Sequence, residues 1–137
     1  EKVKEDLQKE KLDIDKLSGI KVMPYIYNME EIMNIADLIV SRSGAMTVTE
    51  IENVGKPAIF IPFPFAAENH QEYNARALEK AGAANVILDK ELTANKLNDS
   101  INDLIKDKIK LKEMGKKARE IFVDNVENRI YEEIKKY

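Results

Sequence analysis

The sequence predicts an α/β domain in which a parallel β-sheet carries flanking helices. Three observations predict it. Short apolar runs alternate with amphipathic stretches along the first two thirds of the chain. Residues 37–57 hold one strand–turn–helix unit that Gly55-Lys56-Pro57 ends, and residues 58–61 supply the next apolar run. The turn in that unit, residues 41–44, is polar and ends in Gly44, at the carboxyl end of its strand.

The elements follow in order. Residues 1–12 read as a helix with Val3, Leu7 and Leu12 on one face. An apolar run at 20–23 reads as a strand. A helix over 29–36 is opened by Asn28, with Glu31 placed to close a capping box. A strand at 38–40, a helix over 45–54 and a strand at 58–61 come next. The loop 62–71 leads into a helix over 70–81 and a strand at 85–88. Helices over 93–105, 111–122 and 126–137 close the chain. Spacings of this size suit parallel strands joined by helical crossovers. A sheet of this kind ordinarily opens with a strand and a ligand-binding turn, not a charged helix. The chain therefore reads as cut into the middle of a larger domain, with part of its site elsewhere.

Composition narrows the function. The 137 residues suit one domain, and 44% hydrophobic with 34% charged residues is a globular balance. No cysteine is present, which excludes disulfides and thiolate metal sites, and the single His70 argues against a histidine-built one. No apolar stretch approaches the ~18 residues of a membrane span. A net charge of −3, with lysines scattered among acidic residues, argues against nucleic acid as a partner. The profile is that of a small cytosolic domain. Residues 106–117 are lysine-rich, but their polar face mixes Lys with Glu and Asp, so a domain-packing helix is expected there rather than a membrane-surface one.

The chemistry concentrates in two segments. Open α/β sheets bind ligands outside the carboxyl ends of their strands, where free amides and a helix dipole favour an anion, most often phosphate. Ser43, Gly44, Ala45, Met46 and Thr47 stand there: Gly44 permits close backbone approach, and the following amides open a helix. The same residues also read as a plain turn with Ser43 as N-cap. Glu50 likewise has two readings. Thr47-Val48-Thr49-Glu50 matches a capping box, yet a carboxylate one turn into a helix can lean back over the turn toward a ligand. The loop 62–71 is long for its type and polar, as specificity loops are. In it, Glu68, Asn69, His70 and Gln71 read either as a helix start or as ligand contacts, with Asn74 one turn on. Arg42 either offsets an anion or braces the turn.

These residues resemble a known family. Pro24-Tyr25-Ile26-Tyr27-Asn28-Met29, the run from Ala36 through Ser41-Arg42-Ser43-Gly44-Ala45-Met46-Thr47 to Glu50, Gly55-Lys56-Pro57, the run from Ile61 through His70-Gln71, and Asn74 to Ala83 occur in the order and spacing of MurG. That family comprises bacterial transferases that move N-acetylglucosamine from UDP-GlcNAc to lipid I, giving lipid II for peptidoglycan.

The resemblance implies two Rossmann-like domains in the GT-B arrangement, of which residues 1–137 are most of the C-terminal, donor-binding one. The N-terminal acceptor domain, with the family's catalytic base, is absent. Ile26 reads from its side chain as a core residue, and the resemblance further implies that its backbone pairs with the uracil edge, with Tyr25 beside the base. Glu50 would hold the ribose, and residues 43–47 the diphosphate. Gln71 and Asn74 would contact the sugar. His70 is expected to cap its helix or touch the sugar rather than act as base. No metal and no cofactor is implied. The parent enzyme would be inverting and peripheral on the inner leaflet of the plasma membrane, with lipid I entering through the acceptor domain. The fragment alone should not turn over. A stand-alone nucleotide-sugar-binding subunit and a related UDP-sugar glycolipid synthase are the alternatives.

Overall fold

The structure, a computed structural model, describes residues 18–123 and 126–136. The helix expected over residues 1–12 lies outside them. Among the described residues the order is α1 (Met29–Ile35), β1 (Ile39–Ser41), α2 (Ala45–Val54), β2 (Ala58–Phe60), α3 (His70–Lys80), β3 (Ala84–Val86), α4 (Ala94–Lys106), α5 (Lys108–Ile121) and α6 (Val126–Ile134). Single 3-10 turns at Ala67–Asn69 and Asp89–Glu91 follow β2 and β3.

The sheet runs β1-β2-β3, all parallel, as the crossover spacing predicts. Side chains alternate across its central strand. Ala58 and Phe60 join Met33, Val48, Ile51, Ala75 and Leu78 beneath α1, α2 and α3 on one face. Ile59 meets Ile87, Leu104 and Met114 beneath α4 and α5 on the other. With both faces covered, all three residues of β2 are buried, which is why its sequence is a continuous apolar run.

The register places the site. Ser41 pairs with Phe60 and Phe60 with Val86, so the three strands finish level. The ladder runs one residue further, with Ile61 N–H donating to the Ser41 carbonyl at 2.9 Å and Ile87 N–H to the Phe60 carbonyl at 2.9 Å. The β1–α2 turn and the β2–α3 loop leave the sheet side by side.

At the far end of α2, Gly55 is left-handed (φ 65°). Its N–H reaches the Glu52 carbonyl and the Lys56 N–H reaches Ile51, which closes the helix. Gly115 of α5 packs on this cap so closely that a Cβ on it would stand 2.5 Å from the Gly55 oxygen.

The structure corrects three expectations. Residues 20–23 form no strand: Ile20 is 56% and Val22 44% exposed, and without a ladder partner an apolar run is not a strand. Asn28 takes the N-cap position of α1 without capping it, because its amide donates to the Glu31 carboxylate instead of closing a box with the backbone. The helix expected from residue 111 begins three residues earlier, where Asp107 accepts from the Lys110 N–H.

Candidate functional site

The candidate site is the level edge where β1, β2 and β3 end. The helix α2 begins at Ala45 with Gly44 as its N-cap, and no side chain caps it. No acidic residue occupies its first turn. The opening amides of a ten-residue helix thus face outward with the positive end of the helix dipole. Gly44 has φ −61° and ψ 149°, a conformation open to any residue. What glycine supplies here is therefore the missing side chain rather than an unusual backbone angle.

This start of α2 decides two open readings. Ser43 is not the N-cap. It is fully buried, and its hydroxyl donates to the Gln71 carbonyl at 2.7 Å. Nor do Thr47 and Glu50 form a capping box, since the box would require Thr47 outside the helix and it lies on the third helical residue. Glu50 is exposed and has no hydrogen-bond or ion-pair partner among the described residues.

The β2–α3 loop packs its end against the turn. Gln71 Oε1 accepts from the Phe63 N–H at 3.0 Å, and Asn74 Nδ2 donates to the Ser43 carbonyl at 3.2 Å. Gln71 Nε2 is then the nearest atom, at 4.0 Å, to where a Cβ on Gly44 would stand. Glu68 (φ 50°) and Asn69 (φ 56°) are both left-handed, and two such residues in sequence turn the chain sharply into α3. Asn69 Nδ2 holds the Glu72 carboxylate at 2.9 Å. His70 is tied at Nδ1 to the Ala67 carbonyl at 2.6 Å, a local bond that fits the helix-start reading.

Arg42 is a brace. Its Nη1 donates to the carbonyls of Ile61 and Pro62, each at 3.1 Å, and to Asp89 Oδ1 at 2.6 Å, with the guanidinium 5.8 Å over the Phe63 ring. It thereby cross-links the ends of all three strands and has no hydrogen left on that nitrogen for an anion.

The structure thus brings together residues 43–47, Gln71 and Asn74. Ile26 stands in the segment before α1, half-buried and in neither core cluster. Its backbone N–H and carbonyl have no partner among the described residues. The Tyr25 ring, 66% exposed, meets Tyr27 edge-on at 4.9 Å. Sequence reasoning missed Phe63 and Asp89, whose roles arise from contacts across the fold and leave no local signal. Among the described residues no group of three His, Asp or Glu side chains is placed to hold a metal, and no helix is long and apolar enough to cross a membrane. At the turn, Ala45 and Met46 are exposed and Gly44 and Thr47 half-buried. The cavities of about 600 Å³ and about 510 Å³ lie at the other end of α2, around Gly55 and Gly115.

Residues 1–130 match the model of the glycosyltransferase family 28 C-terminal domain. The chain belongs to that family. The UDP-N-acetylglucosamine–N-acetylmuramyl-(pentapeptide) pyrophosphoryl-undecaprenol N-acetylglucosamine transferase of Acetivibrio thermocellus is 48% identical over 120 residues, 88% of this chain and 32% of that protein. The transferase of the same name from a Thermoanaerobacter species is 45% identical over 135 residues, 98% of this chain and 36% of that one. The crystal structure of Acinetobacter baumannii MurG matches with a TM-score of 0.80 at 36% identity, covering 86% of this chain and 34% of that one. The glycosyltransferase VinC in complex with dTDP shares the fold at a TM-score of 0.69 and 19% identity. The chain thus spans about a third of the length of these relatives, and the resemblance to MurG carried by its motifs agrees with them.

Proposed function

We propose that this family 28 domain holds the nucleotide-sugar donor of a transferase that moves N-acetylglucosamine from UDP-GlcNAc to lipid I, forming lipid II in peptidoglycan synthesis. The observation that carries the proposal is the uncapped start of α2, at the level edge of the sheet, with the Gln71 amide poised over Gly44. Support also comes from relatives that bear this activity as their name.

In this reading the amides of residues 45–47 receive the diphosphate, and Gly44 leaves space for it. Ser43 acts from below, holding the turn to α3. The backbone groups of Ile26, without a partner among the described residues, read the uracil edge. Glu50, unpaired among the described residues, accepts the ribose hydroxyls, for which a carboxylate's two oxygens suit a diol. Gln71 and Asn74 face the sugar.

The reaction is a displacement at the anomeric carbon. A lipid I hydroxyl oxygen forms the new bond, the bond from C1 to the UDP oxygen breaks, and the configuration inverts. The charge left on UDP is stabilised by amides already aimed at it, so no metal is required. The acceptor and the base come from a second, N-terminal domain, and the enzyme works peripherally at the inner leaflet of the plasma membrane.

The test is turnover by the full-length gene product with lipid I and a panel of UDP-sugars. The reading expects UDP-GlcNAc to be preferred and UDP to inhibit competitively with it. Preference for another UDP-sugar, or no inhibition by UDP, would overturn it.

A further inference from the structure

Two cavities flank the contact between Gly55 and Gly115, at the end of α2 remote from the level edge of the sheet. Their charges differ. Around the cavity of about 600 Å³ both cations are engaged: Lys116 pairs with Glu120 at 3.6 Å, and Arg119 donates to the Asn53 carbonyl and to Asn53 Oδ1, each at 2.7 Å. The cavity of about 510 Å³ sets Lys56, Lys108 and Lys112 against the single carboxylate of Asp37. None of these three lysines has an ion-pair partner among the described residues. The surplus of positive charge surrounds an apolar floor of Pro57, Ile105 and Leu111, and Ile105 is 50% exposed.

Two of the lysines stand where the fold alone disfavours them. Lys56 follows the end of α2, where the helix dipole favours a cation. Lys108 has the opposite setting. It is the first residue of α5, at the positive end of that helix, and the first turn of α5 holds no acidic residue. The Asp107 carboxylate before it is engaged by the Lys110 N–H at 2.9 Å. Lys108 and Lys112 are also four residues apart on one helix, a spacing at which like charges repel. A ligand carrying negative charge would relieve both penalties, and its apolar part would cover Ile105.

We infer that this cavity binds a monomeric anionic amphiphile, with a phosphate among Lys56, Lys108 and Lys112 and a short alkyl chain on Pro57, Ile105 and Leu111. Its volume of about 510 Å³ lies within the ordinary range of small-molecule sites. Lysine ammonium groups suit a phosphate as point charges. A bare anion would leave the apolar floor wet, and an uncharged chain would leave the lysines unmatched. The site is separate from the strand edge and does not depend on the nucleotide-sugar reading.

The experiment is calorimetric titration of octyl phosphate into the full-length gene product, with hexyl phosphate, inorganic phosphate and octanol as comparisons. Octyl phosphate should bind most tightly, and each methylene removed should weaken binding by about two- to four-fold. Inorganic phosphate and octanol should each bind about ten-fold more weakly or worse. Lys108→Glu should weaken octyl phosphate by about ten-fold or more with a Tm no lower than the parent's, because a carboxylate suits the start of α5. Lys112→Ala should weaken it in the same sense, with a melt that confirms folding.

Inorganic phosphate binding as tightly as octyl phosphate would overturn the inference, as would unchanged affinity in both variants. A fall in Tm for Lys108→Glu would overturn it too, since the lysine would then serve the fold. Capture of the parent by phosphatidylglycerol vesicles without binding of monomeric octyl phosphate would overturn it and assign this face to a membrane surface.

Discussion

Replacing Gly44 separates what the turn does for the fold from what it does for a ligand. Its φ of −61° is open to alanine, and a new Cβ would meet only Gln71 Nε2, at 4.0 Å, an ordinary contact. Alanine is a poorer N-cap than glycine, so Gly44→Ala should cost about 1 kcal/mol of stability, a fall of roughly 3–5 °C in Tm. For a diphosphate the cost is larger. A methyl group over the amides of residues 45–47 keeps the phosphate oxygens from reaching them. Losing two charge-assisted bonds at about 1.5–3 kcal/mol each removes about 3–6 kcal/mol, or roughly 10²–10⁴ in affinity. Gly44→Val, larger and β-branched, should be worse.

Uridine has no phosphate and should bind parent and variant within about two-fold. The assay is calorimetric titration of uridine, UDP and UDP-GlcNAc into full-length parent, Gly44→Ala and Gly44→Val, with circular dichroism melts to confirm folding. Equal losses for uridine and UDP in a folded variant would refute the reasoning, because the turn would then not carry the phosphates.

Glu50→Ala should raise donor KM about ten-fold while leaving Tm within ~1 °C, since Glu50 caps nothing in α2; a collapsed melt with unchanged KM would refute the ribose role. Gly115→Ala should cost more than about 2 kcal/mol in a denaturant titration, because its Cβ would stand 2.5 Å from the Gly55 carbonyl oxygen and α5 would have to retreat from α2. Arg42→Ala should lose about 1–3 kcal/mol through its two carbonyl bonds, and Asp89→Asn less than about 1 kcal/mol, because that ion pair is half exposed; equal losses would move the brace onto the ion pair. Burial holds the Glu52 carboxyl pKa above its ordinary value, so ionised Glu52 costs stability at neutral pH. Glu52→Gln should therefore raise Tm slightly at neutral pH, and the gain should fade as pH drops through the raised folded pKa and disappear below the ordinary carboxylate value.

The elements legible in the sequence were those whose signals are local. Gly55-Lys56-Pro57 stops α2 where a left-handed cap, a helix-ending bond and a strand start must come together, and the helix runs over residues 45–54 as read. The continuous apolar run at 58–61 signalled a strand, and β2 is that strand, which the structure buries on both faces. The helix read from residue 93 begins at Ala94, with Thr93 as its N-cap, because Thr93 Oγ1 accepts from the Lys96 N–H three residues on, at 3.1 Å. The run at 20–23 has the same local character and forms no strand. A strand, unlike a helix, finds its hydrogen bonds in another segment, and no periodicity within the run can say whether that segment is there.

The candidate site divides along the same line. Sequence placed residues 43–47 at a strand end and Gln71 on a polar loop, because glycine and polar clusters mark such places wherever they fold. It offered Ser43 and Glu50 as capping residues because each matches a spacing rule, and the structure gives neither that role. Gly44 had already taken the N-cap, one residue beyond Ser43, and the buried Ser43 hydroxyl was drawn to the Gln71 carbonyl, twenty-eight residues away. The direction of each amide was equally hidden. It depends on a backbone N–H at Phe63 and a carbonyl at Ser43 that meet Gln71 and Asn74 only after two left-handed residues have turned the loop onto α3. Residue types chose the chemistry available at this edge, and the contacts across the fold decided which way each side chain faces.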